Sequence, residues 1–207
     1  MVYKTIPMGT VKTNIGSLDL KRRYTYADYL LWEFKERVEL IKGKVFKMSP
    51  APSTSHQNIL MNLTRALDKV FYKTDCKMFF APFDVRLVNF KKSTDDSQVI
   101  TVVQPDLCVI CDKSKVDEKG CLGSPDLMIE VLSPGNSKKE IDIKFDLYEE
   151  NGVKEYWIVN PVSKSVAIYV LQGDKYIGLK PLIEGSKLES PTFPNLKFPV
   201  KKVFEIL

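Results

Sequence analysis

Pro125-Asp126-Leu127-Met128-Ile129-Glu130-Val131-Leu132-Ser133-Pro134 reads as a buried strand with an acid at its centre. Met128, Ile129, Val131 and Leu132 surround Glu130 with apolar side chains, and a proline bounds the run at either end. An ionised carboxylate in such a place needs a partner charge, hydrogen bonds or a cation. Glu130 is therefore costly to keep unless it has a use.

A partner must come from elsewhere in the chain. Pro-Asp-Leu occurs twice, at residues 105–107 and 125–127. Asp126 sits on the same strand as Glu130 and about 13 Å from it at about 3.3 Å per residue, too far to share one ion's coordination shell. Asp106 opens a separate apolar run. Neighbouring strands lie about 4.8 Å apart, so Asp106 and Glu130 can meet at one cation. Ligation by oxygen alone suits Mg²⁺ or Mn²⁺ rather than zinc.

Residues 137–150 read as a helix that Asn151-Gly152 stops. At about 100° per residue Ile141, Phe145, Leu147 and Tyr148 share a face, and Lys144 falls inside it with Glu140 alongside. Such a lysine either snorkels along apolar surface or serves the acidic strand before it. Upstream, 53–71 reads as a helix with Ile59, Leu60, Leu63, Leu67, Val70 and Phe71 on one face. His56, the only histidine, faces the core side of its first turn, where a histidine is usually structural.

Thr25 and Asp28 form a capping pattern that starts a first helix running toward residue 37. Residues 38–48 read as a hairpin about Lys42-Gly43, closed by Ser49-Pro-Ala-Pro-Ser53. Glu39 in its first strand alternates with Val38 and Leu40, as an edge-strand surface charge would. Further strands are expected at 78–88, 99–103, 107–111, 155–159 and 166–171. Residues 112–123 read as polar turns, and the tail from 177, with Pro191, Pro194 and Pro199, as irregular. With no internal repeat or linker, residues 1–207 read as a single α/β domain.

At 207 residues the chain can bury a sizeable core, and 31 basic against 26 acidic residues give a net charge of +5. That excess permits nucleic-acid binding without arguing for it. No apolar run reaches the roughly 18 residues of a membrane span, and the first residues lack a signal-peptide core, so the expectation is a cytoplasmic protein with its four cysteines reduced. Cys108-Val-Ile-Cys111 has no second ligand pair at zinc-finger spacing and reads as buried thiols.

The run 125–134, then Asp142-Ile-Lys-Phe-Asp-Leu-Tyr148, then Gly152-Val-Lys-Glu-Tyr-Trp-Ile-Val-Asn-Pro161, resembles the Uma2 family, a bacterial branch of the PD-(D/E)-x-K nuclease superfamily. The likeness extends upstream through Glu39, the region of His56, Asp84-Val-Arg-Leu87 and Gln104-Pro-Asp106, so that the core spans roughly residues 24–170. It implies a restriction-endonuclease-like central mixed sheet flanked by helices, with an N-terminal helix and β-hairpin. It also implies a divalent metal held by Asp106 and Glu130, the pair that spacing selects.

The chain departs from the superfamily at Leu132, where a lysine two residues after the acid is usual. Leu132 shares a strand face with Glu130, and Lys144 from the next helix is the natural substitute. By resemblance, Glu39 would support the site or add a ligand, His56 would support it and Glu140 would orient Lys144. The implied activity is Mg²⁺-dependent (or Mn²⁺-dependent) endonuclease cleavage of DNA. Cutting both strands needs two active sites, so a homodimer is expected on that ground, and the lack of a membrane-length apolar run leads to the expectation of no membrane attachment. Leu132 also leaves open a silent nuclease fold that binds nucleic acid or protein, and a third possibility is a hydrolase of some other phosphate substrate. There is no recognisable separate DNA-reading module.

Overall fold

A computed structural model describes residues 10–48, 52–88, 94–133 and 138–206. In it the Thr25 side chain accepts from the Asp28 N–H and the Asp28 carboxylate accepts from the Thr25 N–H, which is the capping box read from the sequence. The helix it starts, α1 (Tyr26–Tyr29), ends after one turn instead of reaching residue 37. The cause is tertiary. Lys12 exchanges backbone hydrogen bonds with Leu31 and Glu33, and the Trp32 ring packs against Tyr24, Tyr29 and Phe34.

The hairpin forms as expected from β1 (Val38–Ile41) and β2 (Lys44–Lys47). Its turn places Lys42 at φ 50° and Gly43 at φ 79°, the positive pair that matches the twist of the flanking strands. β1 is no edge, however. It also pairs with a later strand through Leu40 and Val102, and Glu39 is buried, which overturns its reading as an edge-strand surface charge. Residues 49–51, part of the segment read as closing the hairpin, lie outside the described residues. Helix α2 (Thr54–Phe71) follows with Ser53 as its cap.

The run 78–88 divides into β3 (Lys77–Phe80) and β4 (Val85–Arg86), which join different sheets across Pro82. β5 (Val102–Val103) and β6 (Leu107–Ile110) come next, and the turn-rich stretch holds a small hairpin, β7 (Val116–Asp117) and β8 (Gly120–Leu122). β9 (Leu127–Val131) carries Glu130. Residues 134–137, where the break before the next helix was read, are not described. α3 (Lys138–Glu150) ends at Gly152 in the left-handed region, φ 75°.

β10 (Glu155–Asn160) lies parallel to β9, and β11 (Ser165–Gln172) antiparallel to β10. The tail is not irregular. It forms β12 (Lys175–Gly178), β13 (Leu182–Ile183), β14 (Lys187–Glu189) and β15 (Lys197–Pro199), and buries Leu188, Leu196, Phe198, Val200 and Val203. The buried Glu155 carboxylate holds it, accepting from Ser190 Oγ at 2.8 Å and the Thr192 N–H at 2.9 Å.

The main sheet runs β12-β11-β10-β9-β6-β3, with β13 beside β11. A second sheet, unforeseen as a separate layer, runs β2-β1-β5-β4-β8-β7. Alternation along β6, β9 and β10 divides the core in two. Leu107, Leu127, Ile129 and Trp157 pack beneath Ile59, Leu63 and Leu67 of α2. Cys108, Met128, Tyr156 and Ile158 face the other way, against Leu147 and Tyr148 of α3 and Ile41, Val85 and Val103 of the second sheet. Glu130 points to this second side.

The cysteines depart from four reduced thiols. Cys76 and Cys111 form a disulfide, while Cys108 and Cys121 are free and buried. Cys108-x-x-Cys111 is thus no zinc pair. Among the described residues no helix is long and apolar enough to cross a membrane.

Candidate active site

β6 and β9 are antiparallel, with Leu107 opposite Ile129 and Cys108 opposite Met128. One step further the same register sets Asp106 opposite Glu130, so adjacent strands do bring the two acids together. Asp106 Oδ2 accepts from the Val131 N–H at 2.8 Å and lies 3.2 Å from His56 Nε2, which the first turn of α2 delivers. Asp126 is engaged elsewhere, by the Cys111 N–H at 2.8 Å and Lys154 Nζ at 2.7 Å.

Lys144 reaches in from α3. Its Nζ lies 2.8 Å from Glu130 Oε1 and 3.1 Å from Glu39 Oε1, so one ammonium bridges an acid from each sheet. Tyr148, one turn later, donates from its hydroxyl to Glu130 at 2.7 Å. Glu39 also accepts the Gln104 N–H at 2.9 Å. Side-chain exposure is 6% for Glu39, 13% for Glu130 and 18% for Lys144, so these charges meet largely away from water. Glu140 lines the same cleft one turn before Lys144, as the helix period requires.

Burial pushes the Glu130 carboxyl above its ordinary value. Lys144 pulls it down, while Asp106 and Glu39 push it up. Burial alone would depress the Lys144 ammonium, but Glu130 and Glu39 outweigh it and hold the group above its usual range. His56 follows the same logic: burial lowers it, the Asp106 carboxylate raises it, and the net direction is up. Its Nδ1 is buried with no hydrogen-bond partner among the described residues.

The site thus gathers Asp106, Glu130, Lys144, Glu39, His56 and Glu140 around one cleft of about 950 Å³, solvent at its mouth included. Leu132 lines it as an apolar wall, and the ammonium beside Glu130 comes from Lys144 on α3. Sequence reasoning missed Tyr148 as a polar partner, because it counted only as one more apolar residue on the α3 face. It also missed Arg37, for which no local pattern speaks, and took Gln104 only as part of the Gln104-Pro-Asp106 likeness, without a role.

Among the described residues no three of His, Cys, Asp and Glu form a preset metal cage. The donor chemistry nevertheless fits Mg²⁺. Asp106 and Glu130 offer hard carboxylate oxygens to the same cleft, and Mg²⁺ keeps several waters and is commonly held by one or two carboxylates together with substrate phosphate. Asp106 and Glu130 are the two that would hold it.

A mixed sheet flanked by helices, with a cleft where carboxylates from its strands meet a lysine-bearing helix, defines a protein of the restriction-endonuclease-like class. The chain belongs to the Uma2 family, described as "Putative restriction endonuclease", which it matches over residues 26–201. The match reaches into the C-terminal strands, beyond the core of roughly 24–170 read from the motifs. Its fold is similar to a crystal structure from Anabaena variabilis ATCC 29413, titled a "putative nuclease belonging to DUF820". The TM-score is 0.65 at 20% identity, covering 87% of this chain and 97% of that one. An uncharacterized Synechocystis protein, slr1290, is 26% identical over 145 residues, covering 69% of this chain and 71% of its own length.

Proposed function

We propose that this chain is a divalent-metal-dependent endonuclease that hydrolyses phosphodiester bonds in DNA. The observation that carries the reading is the convergence of Asp106, Glu130 and Lys144, from two strands and a helix, in one cleft. A bound Mg²⁺ would polarise the phosphodiester and lower the pKa of a water. The protein's own groups do the rest. Lys144 supplies a fixed positive charge beside Glu130 for the charge that develops on the phosphate. Tyr148 and Glu39 hold Glu130 and Lys144 in place, and His56 with the Val131 N–H fixes the Asp106 carboxylate. Glu140, one turn from Lys144, is positioned to orient it.

Cutting both strands of a duplex calls for two such clefts, and a homodimer would provide them. The test is calorimetric titration of Mg²⁺ or Mn²⁺ into the wild type, Asp106→Asn and Glu130→Gln, with plasmid nicking followed in the same samples. Binding and nicking that both vanish in variants of native circular dichroism support the reading. Binding without nicking favours a silent nuclease fold, and turnover of small phosphodiesters with indifference to DNA favours another phosphate hydrolase. No binding at all overturns the metal site.

A further inference from the structure

Arg37 stands at the mouth of the cleft, and the catalytic reading gives it no part. It precedes β1, and the alternation that turns Glu39 and Ile41 into the cleft turns Arg37 the same way, so that all three line it. Its guanidinium is exposed yet fixed. Nε and Nη2 both donate to Gln104 Oε1, at 3.2 and 2.7 Å. Gln104 is itself held, since its Nε2 donates to Asp84 Oδ1 at 2.8 Å and to the Tyr29 hydroxyl at 3.2 Å. The acceptor of the arginine is thus a neutral amide, and among the described residues Arg37 makes no ion pair. A guanidinium oriented by a neutral clamp keeps its full charge for an anion, and its planar fork suits a phosphate.

Beyond Arg37 opens a second hollow of about 530 Å³, solvent at its mouth included. Tyr29, Trp32, Phe34, Val38 and Pro82 wall it together with Gln104, and Glu36, whose carboxylate lies 3.7 Å from Lys47 Nζ, completes the lining beside Arg37. Trp32 and Phe34 stack with ring centroids 5.4 Å apart, and both are only half buried. Arg37 borders both hollows, and is the ridge between the carboxylate-bearing cleft and an aromatic notch.

We propose that ridge and notch form a nucleotide subsite, in which Arg37 takes a backbone phosphate and one unpaired base lies in the aromatic notch. The proposal rests on the reading of the cleft as one that handles a nucleic-acid strand, and adds the form of that strand. Aromatic walls offer π faces to any base, whereas a base still paired and stacked in a duplex cannot enter. The substrate next to the scissile phosphate is therefore single-stranded or has a base turned out. The notch selects for an unpaired base rather than for a sequence.

The chain has two tryptophans, and Trp157 is fully buried, so quenching of emission by a base reports Trp32. The experiment titrates the full chain, in EDTA, with a short oligothymidylate, an oligouridylate of the same length and a blunt duplex. The expected result is quenching by single strands with weak or no quenching by duplex. Arg37→Gln should weaken single-strand binding roughly tenfold, the loss of one charge-assisted contact, and Trp32→Leu should abolish the preference for single strands. Circular dichroism checks that both variants fold. The ratio of the two oligomers assigns the subsite to DNA or RNA, either of which supports it.

Equal binding of duplex and single strand, absence of quenching, or an Arg37→Gln protein that binds like wild type overturns the subsite. Because metal is absent, binding is read apart from cleavage. Quenching without cleavage of the bound oligomer once Mg²⁺ is added sinks the nuclease reading alone. Cleavage with no quenching sinks the subsite alone.

Discussion

Replacing Lys144 with methionine keeps most of the side-chain volume and removes the ammonium between Glu39 and Glu130. The magnitude follows from burial. An exposed pair would cost about 0–1 kcal/mol, but these groups are only 6–18% exposed and the contacts are 2.8 and 3.1 Å. Breaking a buried pair by removing one member strands the other charge, at about 3–5 kcal/mol. Lys144→Met should therefore lose about that much in urea unfolding with EDTA present. Adding Glu130→Gln on top should recover a large part of it, since one stranded carboxylate is then gone. Mg²⁺ should stabilise the single variant more than the wild type, because a cation can take over the lost charge; at a hundredfold excess over Kd, binding is worth about 2.7 kcal/mol. A loss under about 1 kcal/mol, with the second substitution adding to it, would refute the buried bridge.

Two further outcomes test the scaffold. Leu63 is fully buried between α2 and the main sheet, so Leu63→Ala should cost about 2–5 kcal/mol by chemical denaturation. The Cys108 and Cys121 thiols are buried, and burial pushes Cys121 up to about 12 and Cys108 higher still, so neither should react with iodoacetamide at pH 8 until denaturant unfolds the chain, as mass spectrometry would read.

Much of the candidate site was legible because its signals are local contradictions. An acid amid Met128, Ile129, Val131 and Leu132, and a lysine within the apolar face of a helix, each violate a period that the neighbouring residues keep. The α2 face and the Lys42-Gly43 hairpin were legible for the opposite reason, since every local preference agreed. The first helix was overcalled. Thr25 and Asp28 can start a helix, but nothing near them reveals that the backbone of Leu31 and Glu33 pairs with Lys12. The tail was undercalled because its strands are two to four residues long, too short to display a period, and Pro181, Pro191 and Pro194 fall between them.

By itself the sequence determined the mixed α/β class, the strand bearing Glu130, helices read at 53–71 and 137–150, and that Asp106 rather than Asp126 can lie beside Glu130, because these follow from spacing along one element or between adjacent ones. Only the tertiary structure decided that Glu39 is buried and shares Lys144 with Glu130, that Tyr148 donates to that acid, and that Gln104 clamps Arg37 between cleft and notch. Those contacts join residues far apart in the chain across two sheets and a helix. Their geometry is set by how the layers pack, a quantity that no local period encodes.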